Sequence, residues 1–78
     1  MMKVKFTAVV WEEEGTYVSK CPEIDVSSAG DTVEEALANL TEAIELWLVN
    51  ARELGIMDEY LPMMTASEKS TRTIEINV

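Results

Sequence analysis

The sequence predicts an α+β fold, a two-layer β-β-β-α-β sandwich in which one long helix covers one face of a mixed sheet of strand order 3-2-1-4. Three observations carry this expectation. The stretch Gly30–Gly55 is the one long segment with helical periodicity. Ahead of it lie two alternating apolar stretches and a shorter, irregular one. Behind it, Ile74, Ile76 and Val78 alternate with Thr73, Glu75 and Asn77, the period of two that a strand imposes. Three antiparallel strands leave the third parallel to the first. A helix that returns the chain then makes the fourth parallel to both, and a right-handed crossover sets it beside the first. One helix on one face of the sheet gives two layers.

Lys3–Trp11 reads as the first strand, rich in β-branched and aromatic residues. Val4, Phe6, Ala8 and Val10 fall on one face, uniformly apolar and suited to lie under the helix. Lys5, Thr7, Val9 and Trp11 fall on the other, which is mixed. Glu12, Glu13, Glu14 and Gly15 break the alternation and read as a hairpin loop. Thr16–Cys21 returns as the second strand, which Pro22 either ends or places at an edge. Ile24 and Val26 suggest a third, irregular strand within Pro22–Gly30.

The helix has chemical start and stop signals. Thr32 followed by Glu35 makes a capping box, with Asp31 as a second candidate cap. Gly55 supplies a left-handed stop. Between them Val33, Ala36, Leu37, Leu40, Ala43, Ile44, Trp47, Leu48, Ala51 and Leu54 recur at spacings of three and four, on one helix face. Pro62 makes a continuous helix through Ile56–Met64 improbable, and Arg72–Val78 forms the last strand. Repeats, low-complexity tracts and linkers are lacking, so residues 1–78 make a single domain.

Composition narrows the function classes. Fifteen acidic residues against six basic ones give a net charge of −9. Direct contact with nucleic acid is therefore not expected, because phosphates are bound by clustered Lys and Arg, whereas a basic protein partner suits the charge. Histidine is absent and Cys21 stands alone. Zinc sites of the Cys/His kind, Cys–His pairs and Ser–His–Asp triads are excluded, and no cofactor is expected. Cys21 reads as a small buried apolar residue. The N-terminal apolar run is too short for a membrane span and is not followed by a cleavage pattern, so the expected location is the cytoplasm.

The residues best placed to meet another chain are Val9, Trp11 and Tyr17, with the two aromatics expected close together on the sheet face away from the helix. Met57, Met63 and Met64 could extend that surface, methionine being adaptable at contacts. Either the segment Ile56–Met64 folds over the aromatics, or they form an exposed patch that docks a partner. A domain this small gains from self-association, as a dimer or tetramer, and its edge strands could extend a sheet across such an interface.

The run Cys21–Leu48, CPEIDVSSAGDTVEEALANLTEAIELWL, resembles the core signature of HicB-like antitoxins. Gly15 and Tyr17 match the glycine and aromatic of that family's second strand, and Pro22-Glu23 its Pro-Glu pair. Gly30, Asp31, Thr32, Glu34, Glu35, Ala36 and Leu37 match its Gly-Asp-Thr start to an Glu-Glu-Ala-Leu helix, and Glu42, Ala43 and Ile44 a later Glu-Ala-Ile turn. The similarity covers roughly Val4 to Leu48 and is weaker from Gly55 onward. It implies a truncated ribonuclease-H-like unit that neutralises a small basic mRNA-cleaving toxin of the HicA type. Two departures accompany it: Asp25 and Val26 stand where many members carry Pro-Gly, and the last strand ends the sequence at Val78 where full-length members continue into a DNA-binding domain. Promoter autoregulation through direct DNA contact is accordingly not expected. The alternative is an orphan oligomerisation module without a toxin. Catalysis of the ribonuclease-H kind needs several carboxylates converging on hard cations. The first strand offers none before Glu12, while Glu34, Glu35, Glu42, Glu45 and Glu53 read as a solvated helix face and Glu75 as an isolated strand acid. The expectation is a binding protein, not an enzyme.

Overall fold

Alternation along the first strand sets up both layers. In a computed structural model describing residues 3–56 and 72–77, β1 (Lys3–Glu13) has Val4, Phe6 and Ala8 fully buried on one face, while Lys5, Thr7 and Val9 remain partly exposed on the other. A two-residue turn at Glu14–Gly15 leads into β2 (Thr16–Cys21), with Glu13 paired to Thr16. Both turn residues have positive φ, 50° and 82°, as a type I′ hairpin requires and as Gly15 adopts without steric cost. Glu12 and Glu13, expected in the loop, are therefore strand residues. A turn whose twist matches the ladder needs only two positions.

β2 ends at Pro22, which has no N–H to donate. The chain turns through Asp25, at φ 53°, and buries Ile24 on the way. The third strand, β3 (Val26–Gly30), is shorter than the span Pro22–Gly30 that contains it and is regular, pairing antiparallel with β2 from Cys21↔Val26 to Tyr17↔Gly30. α1 (Val33–Leu54) follows. Thr32 is its N-cap: the Glu35 amide donates to Thr32 Oγ1 at 3.0 Å. The Glu35 carboxylate reaches back to the amide of Asp31 at 3.2 Å, one residue ahead of the usual partner in a capping box. Asp31 thus donates its amide to Glu35, and Thr32 is the cap. At the other end Gly55, at φ 72°, donates to Arg52 O and Ile56 donates to Ala51 O, the paired bonds of a Schellman motif.

The buried helix stripe is Ala36, Leu40, Ile44, Leu48 and Ala51, with Leu37 and Trp47 partly covered. Leu54, expected on this stripe, is 73 % exposed. A 22-residue helix is about 33 Å long, roughly twice a five-residue strand, and its last residue lies past the apolar cover. The core joins this stripe to Val4, Phe6, Ala8, Cys21 and Ile24, and Ile74 and Ile76 pack against its margin.

The strand order is 3-2-1-4, as expected, but the sheet is antiparallel throughout and not mixed. β4 (Arg72–Asn77) runs antiparallel to β1, with Val4↔Ile76 and Phe6↔Ile74. The expected parallel direction assumed that the helix hands the chain directly to the strand. Seventeen residues, 55–71, lie between α1 and β4. Extended, that many can span over 50 Å (about 3.3 Å each), enough to reach either end of the sheet. The handedness rule, which governs parallel crossovers, then does not apply. β1 is shared lengthwise, its first half pairing with β4 and its second with β2.

Helix and strand backbones approach closely at Gly30. A Cβ there would lie 2.6 Å from the amide nitrogen of Ala36 and 2.8 Å from the carbonyl carbon of Glu35, both backbone atoms. Beside it the buried Ser19 hydroxyl donates to Ala36 O at 2.8 Å. Gly30→Ala is expected to cost about 1–3 kcal/mol, the range for forcing atoms into a packed site, measured by urea denaturation. Thr32→Ala, which removes only the cap, should cost about 1 kcal/mol and leave near-ultraviolet dichroism unchanged.

Candidate interaction surfaces

The hairpin register decides which side chains share the open sheet face. Trp11 pairs with Val18 and Val18 with Ala29, an apolar row across three strands on the side away from α1. Val9 lies beside it, opposite Lys20. Trp11 is 38 % exposed; Val9 and Val18 are half-buried. Tyr17 is not part of this patch. It pairs with Glu12 and Gly30 and alternates with buried Ser19 and Cys21, so it belongs to the helix-facing side. A two-residue turn places odd-numbered residues of β1 beside even-numbered residues of β2, and only a loop of odd length would have joined Trp11 to Tyr17. Val18 takes the place expected of Tyr17. Met57, Met63 and Met64 lie outside the described residues, as does any cover by the segment that follows Ile56.

Charge is divided between the two faces. Lys5 and Lys20 project from the open sheet face, and each meets a carboxylate, Glu75 at 3.7 Å and Asp25 at 3.2 Å. Such exposed pairs contribute little stability; their effect is to leave this face close to neutral. The outer side of α1 is acidic, with Glu34, Glu35, Glu42, Glu45 and Glu53 all exposed. Two exposed apolar residues sit among them, Leu46 at 66 % and Val49 at 55 %. Sequence reasoning passed over this pair. Their signal was available: both are large apolar residues lying off the stripe that forms the core.

A third feature is internal. β1 continues past the end of β2, and the register extended beyond Val9↔Lys20 would set Thr7 against Pro22. The Thr7 amide is taken instead by the Glu23 carboxylate, at 3.0 and 3.1 Å, which also accepts from the Thr7 hydroxyl at 2.6 Å. The same carboxylate accepts from the Cys21 thiol at 3.3 Å. Cys21 is fully buried. Desolvation first, then the hydrogen bond to Glu23 and its negative charge, raise the thiol pKa from an ordinary 9.0 to about 12. The group is a capped, inert thiol at neutral pH, in accord with its expected role. The Glu23 carboxylate holds the half of β1 that lies beyond the β2 ladder to the turn after β2. Asn39 does a related job at the outer strand, donating from its side-chain amide to Ala29 O at 2.7 Å and so occupying part of an edge that could otherwise recruit another chain.

Among the described residues no group of three or more His, Cys, Asp or Glu side chains is placed to hold a metal ion, and no helix is long and apolar enough to cross a membrane. No family model, curated protein or solved structure matches the chain.

The raised thiol pKa has a defined consequence for stability. The folded chain keeps the Cys21 proton up to about pH 12, whereas the unfolded chain releases it near pH 9. The contribution is complete below pH 9 and is lost progressively as pH rises toward 12. Unfolding free energies of wild type and Cys21→Ala, measured from pH 7 to 11, should differ in slope above pH 9. The steeper fall belongs to wild type.

Proposed function

We propose that this chain is an antitoxin-like protein-binding module of the HicB-like kind, which masks a small basic mRNA-cleaving toxin of the HicA type. The observation that carries the reading is the segregation of charge: the exposed side of α1 is strongly acidic, while Lys5 and Lys20 on the opposite face are already matched. Such a surface draws in a cationic protein and repels nucleic acid. The resemblance over Cys21–Leu48 supports the same assignment. Its residues have structural duties compatible with a shared scaffold: Glu23 ties β1 to the β2 end, Gly30 admits the helix, and Thr32 with Glu35 starts it. In this reading the ribonuclease-H-like unit comprises β1–β3 and α1, with β4 differing in direction. The protein acts in the cytoplasm, performs no chemistry itself, and blocks its partner by occupying it.

A second reading, an oligomerisation module without a toxin, is favoured by the Trp11–Val18–Ala29 row. A near-neutral face carrying a partly exposed tryptophan is where a chain of net charge −9 can meet its own copy with least repulsion. The two readings share the prediction of a dimer or tetramer and differ in what else is bound. Affinity purification from the native host should recover a small basic protein in stoichiometric amount, and the complex should weaken with rising salt. Recovery of homo-oligomers alone would select the second reading. Trp11→Lys is expected to yield monomers by light scattering under conditions where wild type is oligomeric, with far-ultraviolet dichroism preserved. A wild-type chain that is monomeric at high micromolar concentration would remove the role assigned to this face.

A further inference from the structure

We propose that the outer stripe of α1, Leu46 and Val49 framed by Glu42, Glu45 and Glu53, is the seat of a cationic amphipathic helix supplied by the partner protein. The inference takes from the preceding reading only that the partner is basic. Leu46 and Val49 are spaced three apart and so share one helix face. They line a shallow concavity together with Glu42 and Glu45. Neither belongs to the core, and they stay 66 % and 55 % exposed, so folding does not account for their apolar character. Single exposed apolar residues are ordinary; an adjacent pair in an acid-rimmed concavity has the anatomy of a small binding centre, apolar within and charged around.

Charge selects the occupant. Glu42 lies one turn before Leu46 and Glu53 one turn after Val49, with Glu45 at the side; Arg52 is the one cation on the described helix. A second copy of α1 fits poorly in either direction. Antiparallel pairing that sets Leu46 on the partner's Val49 also sets Glu42 on Glu53. Parallel pairing sets each glutamate on itself. Like charges so placed oppose association. A helix with two or three apolar residues flanked by Lys or Arg satisfies both parts at once: its apolar stripe covers Leu46 and Val49, and its cations meet the glutamates at the rim.

The probe is a synthetic helical peptide with a leucine stripe and lysine flanks. Two controls accompany it, one with glutamate in place of lysine and one with glutamine in place of leucine. Calorimetric titration and amide chemical-shift mapping should show the Leu/Lys peptide binding at low salt, with shifts centred on Leu46 and Val49. Both controls should bind weakly or not at all. The variant L46Q/V49Q, exposed and helix-compatible at both positions, should keep its dichroism and lose about tenfold or more in affinity. Unchanged binding by L46Q/V49Q would overturn the proposal, as would equal binding of the Leu/Glu peptide. A wild-type dimer that dissociates in L46Q/V49Q would assign the stripe to a second copy and overturn it too. The test is separable from the antitoxin reading. A basic toxin that co-purifies equally with wild type and L46Q/V49Q keeps that reading and removes this surface. Peptide binding as expected, with no basic partner recovered from the host, does the reverse.

Discussion

The close approach of the first helical turns to β2 and β3 is the contact on which the rest of the arrangement depends. Gly30 leaves no room for a side chain between strand and helix backbone, and Ser19 fastens the same turn through Ala36 O. A buried hydroxyl is costly unless bonded, so this single bond both satisfies Ser19 and fixes where along the strand the helix sits. With that point set, the spacing of Leu40, Ile44 and Leu48 delivers each onto the apolar face formed by Val4, Phe6, Ala8 and Cys21. Nearness of α1 to β3 and β2, more than to β1, follows from the same anchor. The short link Asp31–Thr32 between β3 and the helix leaves the chain little freedom to do otherwise.

Much of this was legible because it is local. Thr32, Glu35 and Gly55 announced the helix ends through side chains and backbone preferences that act within one turn, and the alternation of β1 showed its buried face. The strand order also came through. What did not come through depends on distances the local pattern does not encode. The direction of β4 turned on a 17-residue connection between α1 and β4, too long to transmit orientation. The face of Tyr17 turned on whether the hairpin loop held an even or odd number of residues. Glu23 read as half of a Pro-Glu pair, and nothing near it in sequence signals that its carboxylate would serve Thr7, sixteen positions away. Leu46 and Val49 were hidden in an apolar run whose core-facing members explained the helix sufficiently.

A two-layer domain has two outward surfaces, and here they differ in what they can tolerate. The sheet face carries cross-strand apolar contact and internally matched charge, so a copy of itself brings little repulsion. The helix face carries unmatched carboxylates around a small apolar centre, so a copy of itself is repelled and a cation attracted. These preferences do not compete, because the faces lie on opposite sides of the domain. Closing a dimer through the sheet would turn both helices outward. Each protomer would then keep its acidic stripe accessible, and the local negative potential would be greater than that of a lone chain. On the two proposals made for these faces, self-association and capture of a basic partner would be additive uses of one fold. A dimer so built would present two equivalent acidic helices related by a twofold axis, and the proposed basic partner would then meet it as a symmetric two-to-two complex more readily than as one partner bridging both.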